Sequence, residues 1–155
     1  MKQLAFPFLM VLLCLSTALS AQKTNIAQIR PTLNHIAVYV YDLQKQADFY
    51  HQVMYLDTIP EPFHDGRHVW FRIGPHSQLH LIQGAKMIVR HDINTHICFA
   101  VPNLQAFMEH LNQLGVAYQS WTGERHGITK RQDGVQQIYL QDTEGNWIEV
   151  NDDRF

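Results

Sequence analysis

The stretch "DGVQQIYLQDTEGNWIEVND", residues 133–152, predicts two short β-strands joined by a turn at residues 142–146. Side chains alternate between the two faces of a strand, so Glu149 lies on one face of the second strand and its neighbours Ile148 and Val150 lie on the other. A carboxylate on a strand rarely faces a packed core without a partner. The face that carries Glu149 is therefore solvated, paired with a cation or occupied by a metal ion.

The same succession of elements occurs twice in the chain. Residues 33–50, "LNHIAVYVYDLQKQADFY", and residues 94–111, "NTHICFAVPNLQAFMEHL", each predict a strand with a histidine near its start, followed by an amphipathic helix. Asp42 and Asn103 stand where the helix N-caps are expected, since their side-chain oxygens can accept from free backbone N–H groups. The second helix is expected to carry its apolar stripe to Leu114 and to end at Gly115.

Three further strands are expected after each helix, because the apolar period changes there to two. They are residues 57–63, 68–73 and 78–83 in the first half and residues 117–121, 136–140 and 147–151 in the second. The order strand, helix, strand, strand, strand indicates an internal duplication. The domain at residues 32–152 therefore contains two βαβββ modules, residues 32–83 and 95–152, joined by a linker at residues 84–94 and preceded by a flexible lead at residues 21–31.

Superposing the two modules matches His35 with His96 and His80 with Glu149, and alternation places all four on the face opposite the helix. Three imidazoles and a carboxylate suit one divalent ion such as zinc, nickel, iron or manganese. Each residue also has an ordinary interpretation: the histidines could bond to backbone groups, and Glu149 could pair with Arg72. Equivalent placement in both modules favours the metal site.

The composition and the first residues of the chain limit the kinds of partner and the cellular location that we expect. The net charge of −2 and the absence of a basic run argue against nucleic acid or an anionic membrane as partner. Residues 1–20 have a positive start, an apolar run and a small-x-small end, which is typical of a secretory signal cleaved after Ser20. A membrane anchor is the weaker alternative. We expect an exported protein, periplasmic or secreted, without stable membrane insertion, in which Cys98 is the only cysteine.

Substrate contacts are expected from four residues. Arg72, Lys130 and Arg131 could hold an anionic group and Tyr139 could orient the substrate, although such residues are commonly solvated or packed. The segment at residues 122–134 is rich in glycine and charge, so it is either a lid over the site or an ordinary surface loop.

The segments "NHIAVYV", "LHLIQG", "THICFAV" and residues 133–152 resemble the vicinal oxygen chelate superfamily over nearly all of residues 32–152. That group includes glyoxalase I, extradiol dioxygenases and bleomycin resistance proteins. The resemblance implies an α+β fold in which two βαβββ modules form a cup-shaped open barrel, and it places His35, His96 and Glu149 at the shared metal positions. Relatives of this size pair their modules within one chain or across a homodimer, and the linker leaves both arrangements open.

The expected activity is that of a metal-dependent lyase or isomerase of the lactoylglutathione lyase type, acting on a small oxygen-chelating substrate. His80 departs from glyoxalase I, which resembles this chain but usually has glutamate there, so Glu149 is left as the general base. If His80 binds the ion, two coordination sites stay open, which favours this chemistry. If it does not, a non-haem Fe(II) dioxygenase is the alternative, and a metal-free binding or resistance protein is the third.

Overall fold

The computed structural model of the protein describes residues 29–154. The chain divides into two units, Met1–Thr32 and Leu33–Phe155, and the architecture below is that of the second. The expected signal and almost all of the expected lead lie outside the described residues. Within the described part of the chain, no helix is both long and apolar enough to cross a membrane.

Two four-stranded sheets, each with one helix, confirm the predicted α+β fold of two repeated modules. The first module consists of β1 (His35–Val40), α1 (Leu43–Gln52), β2 (Thr58–Ile59), β3 (His68–Arg72) and β4 (Gln78–Gln83). The second consists of β5 (His96–Ala100), α2 (Leu104–Gln113), β6 (Thr129–Lys130), β7 (Gln136–Gln141) and β8 (Trp147–Asn151). The first sheet has the strand order β1-β4-β3-β2 and the second has the equivalent order β5-β8-β7-β6. In both sheets the first strand of the module pairs in parallel with the last strand, and the other pairs are antiparallel.

Both helices begin at the predicted caps. The side chain of Asp42 accepts from the backbone N–H of Lys45 at 3.1 Å, and that of Asn103 accepts from the backbone N–H of Ala106 at 3.0 Å. Helix α2 ends at Gln113, and Gly115 follows with φ at 68°, a conformation that glycine adopts without strain. Leu114 is 49% exposed, so the apolar stripe ends earlier than expected.

The strand before β7 differs from the prediction. Of the expected strand at residues 117–121, only Gln119 makes ladder contacts, one bridge to Tyr139 and one to Arg125. The paired strand β6 lies instead within residues 122–134, and the side chain of Thr129 accepts from the backbone N–H of Trp121 at 2.7 Å. Apolar and polar residues alternate equally well in residues 117–121 and in the segment that contains β6. Only the backbone hydrogen bonds therefore show which of the two segments pairs with β7.

One apolar core takes side chains from the helices and from one face of each sheet, in both modules. A buried polar network also joins the modules. The carboxylate of Asp142, at the end of β7, accepts from the Tyr50 hydroxyl on α1 at 3.2 Å and from the Gln46 side chain. Glu144 accepts from the backbone N–H groups of Tyr41 and Asp42, at 3.0 and 2.9 Å, immediately before α1. The turn that begins with Asp142 therefore holds the first helix in place.

Candidate functional site

The candidate site lies on the open face of the sheets, defined as the face opposite the apolar core. Residues that lie directly opposite one another on neighbouring strands point to the same face. In the second sheet, one row of such residues contains Glu149. The row consists of Cys98, Glu149, Tyr139 and Gln119. The equivalent row of the first sheet consists of Ala37, His80, Trp70 and Ile59. The predicted equivalence of His80 and Glu149 therefore appears in the strand register.

His96 and Glu149 form a close pair on the open face of the second sheet. The Nε2 atom of His96 lies 3.3 Å from the Oε2 atom of Glu149. The other ring nitrogen, Nδ1, lies 2.8 Å from the backbone carbonyl of Ile93, a contact in which it donates the ring proton. That hydrogen bond fixes the orientation of the ring and directs Nε2 toward the carboxylate.

Four side chains donate to the Glu149 carboxylate, which is only 7% exposed. The Tyr139 hydroxyl and the Gln137 amide donate to Oε2 at 2.7 and 3.0 Å. The Asn151 amide and the Cys98 thiol donate to Oε1 at 2.9 and 3.3 Å. The carboxylate is therefore held in one orientation by its own strand and both neighbouring strands.

These contacts decide the charge of Glu149. Burial by itself would raise the pKa of the carboxyl group, but the hydrogen bonds from Tyr139, Asn151 and Cys98, with the nearby imidazole of His96, outweigh it and lower the pKa. Burial and the adjacent carboxylate raise the pKa of the Cys98 thiol to about 12 and raise that of the Tyr139 hydroxyl. At neutral pH the carboxylate is ionised, and both neighbours keep the protons that they donate.

On the first sheet, the three aromatic rings of Trp70, His80 and His35 form a stack. The Trp70 and His80 rings lie 3.8 Å apart at an interplanar angle of 2°, and the His80 and His35 rings lie 4.2 Å apart at 9°. The Nε2 atom of His80 lies 2.8 Å from the side-chain oxygen of Gln78. Burial, followed by the proximity of His35 and His68, lowers the pKa of His80, so this imidazole is neutral at pH 7.

The stack has a direct consequence for metal binding. The lone pair of an imidazole lies in the plane of its ring, so two rings can ligate one ion only where their planes meet. The nearly parallel rings of His35 and His80 cannot ligate the same ion in this arrangement. Across residues 29–154, no three histidine, cysteine, aspartate or glutamate side chains lie close enough together to hold a metal ion. One chain thus contains two separate pairs, His35 with His80 and His96 with Glu149, and the four-ligand site stays a prediction.

The four predicted substrate contacts lie in different surroundings. Tyr139 is on the open face, bonded to Glu149. Arg72 is also on the open face but lines a cavity of about 560 Å³ beside β2 and the turn after β3. Lys130 lies opposite Gln136, on the face away from Glu149. Arg131 is paired with Asp133 and, at 2.9 Å, with Asp153, and these hydrogen bonds raise its pKa.

Two buried polar atoms near the pairs have no hydrogen-bond partner among the described residues. They are the Oε1 atom of Gln137, an acceptor, and the Nε1 atom of Trp70, a donor. Gln137 is 5% exposed and shares the open face with Tyr139, so alternation along β7 would have identified it from the sequence. A buried acceptor without a partner favours a bound group at this place.

The donor set around His96 fits a divalent ion. An imidazole nitrogen and an ionised carboxylate oxygen at 3.3 Å are spaced like two adjacent ligands of an ion that binds each at about 2.0–2.2 Å. The proton on Nδ1 of His96 and the four donors to Glu149 supply the outer contacts that orient such ligands. The pair could therefore supply two ligands of such an ion.

Comparisons with known proteins identify the fold. A model of the Glyoxalase/Bleomycin resistance protein/Dioxygenase superfamily matches residues 32–150. Among solved structures, Oxidase ChaP-H2 is 19% identical with a TM-score of 0.67, and the match covers 81% of this chain and 96% of that one. Lactoylglutathione lyase from Agrobacterium tumefaciens is 21% identical with a TM-score of 0.57, covering 77% and 92%. Fosfomycin resistance protein FosX from Mesorhizobium loti is 20% identical with a TM-score of 0.59, covering 80% and 93%. No curated protein matches the sequence.

Proposed function

The chain belongs to the Glyoxalase/Bleomycin resistance protein/Dioxygenase superfamily, and from that premise we propose that it is a divalent-metal-dependent enzyme acting on a small, oxygen-chelating substrate. The observation that carries the proposal is the 3.3 Å contact between Nε2 of His96 and Oε2 of Glu149. Both groups are oriented by other contacts, and the carboxylate is ionised. The Oε1 atom of Gln137, which has no hydrogen-bond partner among the described residues, also favours a bound group at this place.

The third ligand in this proposal is His35, and His80 stays off the metal. His80 is buried between Trp70 and His35 and is bonded to Gln78. His35 is exposed; its Nδ1 atom lies 2.8 Å from the side-chain oxygen of Asn34, and its Nε2 atom has no hydrogen-bond partner among the described residues. Two arrangements bring His35 to the His96–Glu149 pair: closure of the two sheets of one chain, or pairing of the first module of one chain with the second module of another. We propose the second arrangement, because the modules of one chain are already fixed by their shared core and by the network around Asp142.

Two histidines and one carboxylate on an ion leave three coordination sites open, enough for a chelating substrate and for O₂. Oxygenase chemistry is therefore the first candidate, whereas a site in which His80 is the fourth ligand favours lyase or isomerase chemistry. When bound, the ion supplies a Lewis acid for the neighbouring oxygens of the substrate or, if it is iron, the redox chemistry that O₂ requires. The residues of the chain hold the ligands, keep Glu149 ionised and provide an aromatic wall at Trp70.

Lyase or isomerase chemistry is the second candidate, and the ionised state of Glu149 favours it. A carboxylate that keeps its charge at neutral pH can accept a proton from the carbon next to the chelated oxygens and return it to the neighbouring carbon. Its four hydrogen bonds make it a weak base, however, since they stabilise the charged form. This role requires that some of these donors move away when substrate binds.

Metal titration tests the proposal. Purified protein, freed of metal, is titrated calorimetrically with Fe(II), Zn(II) and Ni(II), beside the variants Glu149→Ala and His80→Ala. His76→Ala and Glu109→Ala, which change exposed residues away from the pair, are matched controls. We expect one ion per chain in the wild type, loss of binding in Glu149→Ala and near-normal binding in His80→Ala.

The chemistry is then assigned with the loaded protein. Consumption of O₂ with catechol by the iron form supports the dioxygenase, and metal-dependent deuterium exchange at the carbon next to the carbonyl of a hydroxyketone supports the isomerase. A protein that binds no metal, and that binds small ligands equally well after Glu149→Ala, is the metal-free binding protein. We further propose that the enzyme acts outside the cytoplasm, on the strength of the signal-like residues 1–20.

A further inference from the structure

The second sheet has a cation at the end of the row that contains Glu149. Gln119 forms antiparallel bridges both with Tyr139 and with Arg125, so Arg125 continues the row Glu149, Tyr139, Gln119 by one more position. Bridged residues point to the same face, which places Arg125 on the open face with Glu149. Backbone hydrogen bonds hold this edge in place: two join Gln119 and Tyr139, each of 2.8 Å, and one of 2.9 Å runs from Ser120 to the carbonyl of Glu124.

Arg125 lines a cavity on the open face of the second sheet, beside the row that contains Glu149. The cavity has a volume of about 400 Å³, and Tyr139, whose hydroxyl donates to Glu149, is part of its wall. Its walls also include Tyr118, Trp147 and apolar side chains. The walls are largely aromatic and apolar, and the arginine is the only charged residue among those that line it. Such a cavity suits a small planar molecule that carries one acidic group.

The charge of Arg125 is available. It makes no salt bridge within the described residues, in contrast to Arg131, which is neutralised by Asp133 and Asp153. Lys130 lies on the opposite face. Arg72 belongs to a different cavity, on the first sheet. Unlike Arg72, Lys130 and Arg131, Arg125 combines a position on the open face, a position in the row of Glu149 and a charge that makes no salt bridge within the described residues.

The spacing fits a ligand with two functional ends. Neighbouring strands lie about 4.8 Å apart, so the three steps from Arg125 to Glu149 separate their backbones by about 14 Å. A single substituted aromatic ring, together with the reach of the arginine side chain, covers a distance of this order. We propose that Arg125 binds the acidic group of the substrate, and that the substrate class is a planar acid with neighbouring oxygens at the end opposite its carboxylate. This inference rests on the proposed function, because it assumes that the oxygens face His96 and Glu149.

Three probes separate the two ends of the site in the metal-loaded protein. Catechol carries only the neighbouring oxygens, benzoate only the carboxylate, and 3,4-dihydroxybenzoate both. Binding is followed by quenching of tryptophan fluorescence and checked by calorimetry. A charge-assisted hydrogen bond to a carboxylate predicts that the wild type binds 3,4-dihydroxybenzoate about 10-fold or more tightly than catechol.

The variant Arg125→Gln should lose that preference and its affinity for benzoate, while its affinity for catechol stays within about twofold. Arg125→Lys should recover part of the preference, since a point charge replaces the planar fork. Lys130→Gln, a change of the neighbouring cation on the other face, should alter none of the three affinities. An Arg125→Gln protein that still prefers the acid overturns the inference.

The two proposals fail in different ways. If Glu149→Gln binds catechol as well as the wild type does, the proposed function is wrong, while loss of benzoate binding in Arg125→Gln still supports the anionic subsite. If catechol binding depends on Glu149 but benzoate binding does not depend on Arg125, the function stands and the subsite is wrong.

Discussion

Replacing Asp142 by asparagine should lower the free energy of unfolding by about 2–4 kcal/mol. The Oδ2 atom of Asp142 accepts from the Asn146 side chain at 2.8 Å, the Tyr50 hydroxyl at 3.2 Å and the Gln46 amide. In the variant, the side-chain oxygen of the asparagine can still accept from the backbone N–H groups of Glu144 and Asn146, which now donate to Oδ1. The NH₂ group of the asparagine then faces the three side-chain donors. The Tyr50 hydroxyl can rotate and accept, but the other two donors stay without an acceptor.

The magnitude follows from burial. Asp142 is 6% exposed and Gln46 is fully buried, so water cannot replace the lost acceptor. An unsatisfied buried donor costs about 1–3 kcal/mol. Gln46 accounts for about 1–3 kcal/mol, and Asn146, which is only partly buried, adds the lower limit of about 1 kcal/mol, so that the sum is about 2–4 kcal/mol. Turning the Gln46 amide round would break the hydrogen bond that the Thr143 hydroxyl donates to its oxygen, and Thr143 would have to accept from Gln46 instead. For a domain of this size the melting temperature should fall by about 8–16 °C.

Urea unfolding at pH 7, followed by tryptophan fluorescence, measures the difference. Asp48→Asn is the matched control, since Asp48 is exposed on the same helix and accepts only from Gln44, at 2.9 Å; its effect should stay within about 0.5 kcal/mol. A loss below about 1 kcal/mol in Asp142→Asn would refute the argument that this network holds the first helix against the second module.

Three further predictions concern the site and the chain as a whole. The pKa of Glu149 is lowered in the folded protein from its ordinary 4.5, so ionisation stabilises the fold above that pH and the stabilisation is lost as the pH falls. Tyr139→Phe removes a donor, and the free energy of unfolding of the metal-free variant, measured in urea, should therefore depend less on pH between about 5 and 3. If two chains share each site, mixing His35→Ala with Glu149→Ala protein should restore about a quarter of the wild-type metal content, whereas sites within one chain give no recovery. N-terminal sequencing of the exported protein should begin at Ala21, and retention of Met1 would contradict the signal.

The sequence by itself determined the repeat. Alternation and helix caps act over a few residues, so they can be recognised without knowing the rest of the fold. They located both modules, the caps at Asp42 and Asn103, and the register that makes His80 equivalent to Glu149. They also placed Glu149 on the face opposite the core, which the structure confirms.

Local patterns could not decide which strands pair at the edge of the second sheet. Residues 117–121 and the segment that contains β6 alternate equally well, and the choice depends on hydrogen bonds between distant parts of the chain. Arg125 was overlooked for that reason, because only its bridge to Gln119 places it in the row of Glu149.

Tertiary structure alone decided what the candidate ligands touch. Sequence spacing indicates the face on which a histidine lies, but the orientation of its ring depends on its neighbours in three dimensions. The stacking of His80 between Trp70 and His35 keeps these two imidazoles from sharing an ion, and the shared core of the modules leaves His96 and Glu149 as a separate pair. Residue types and alternation thus identified the chemistry available to this protein, while packing between distant segments determined which of those groups meet.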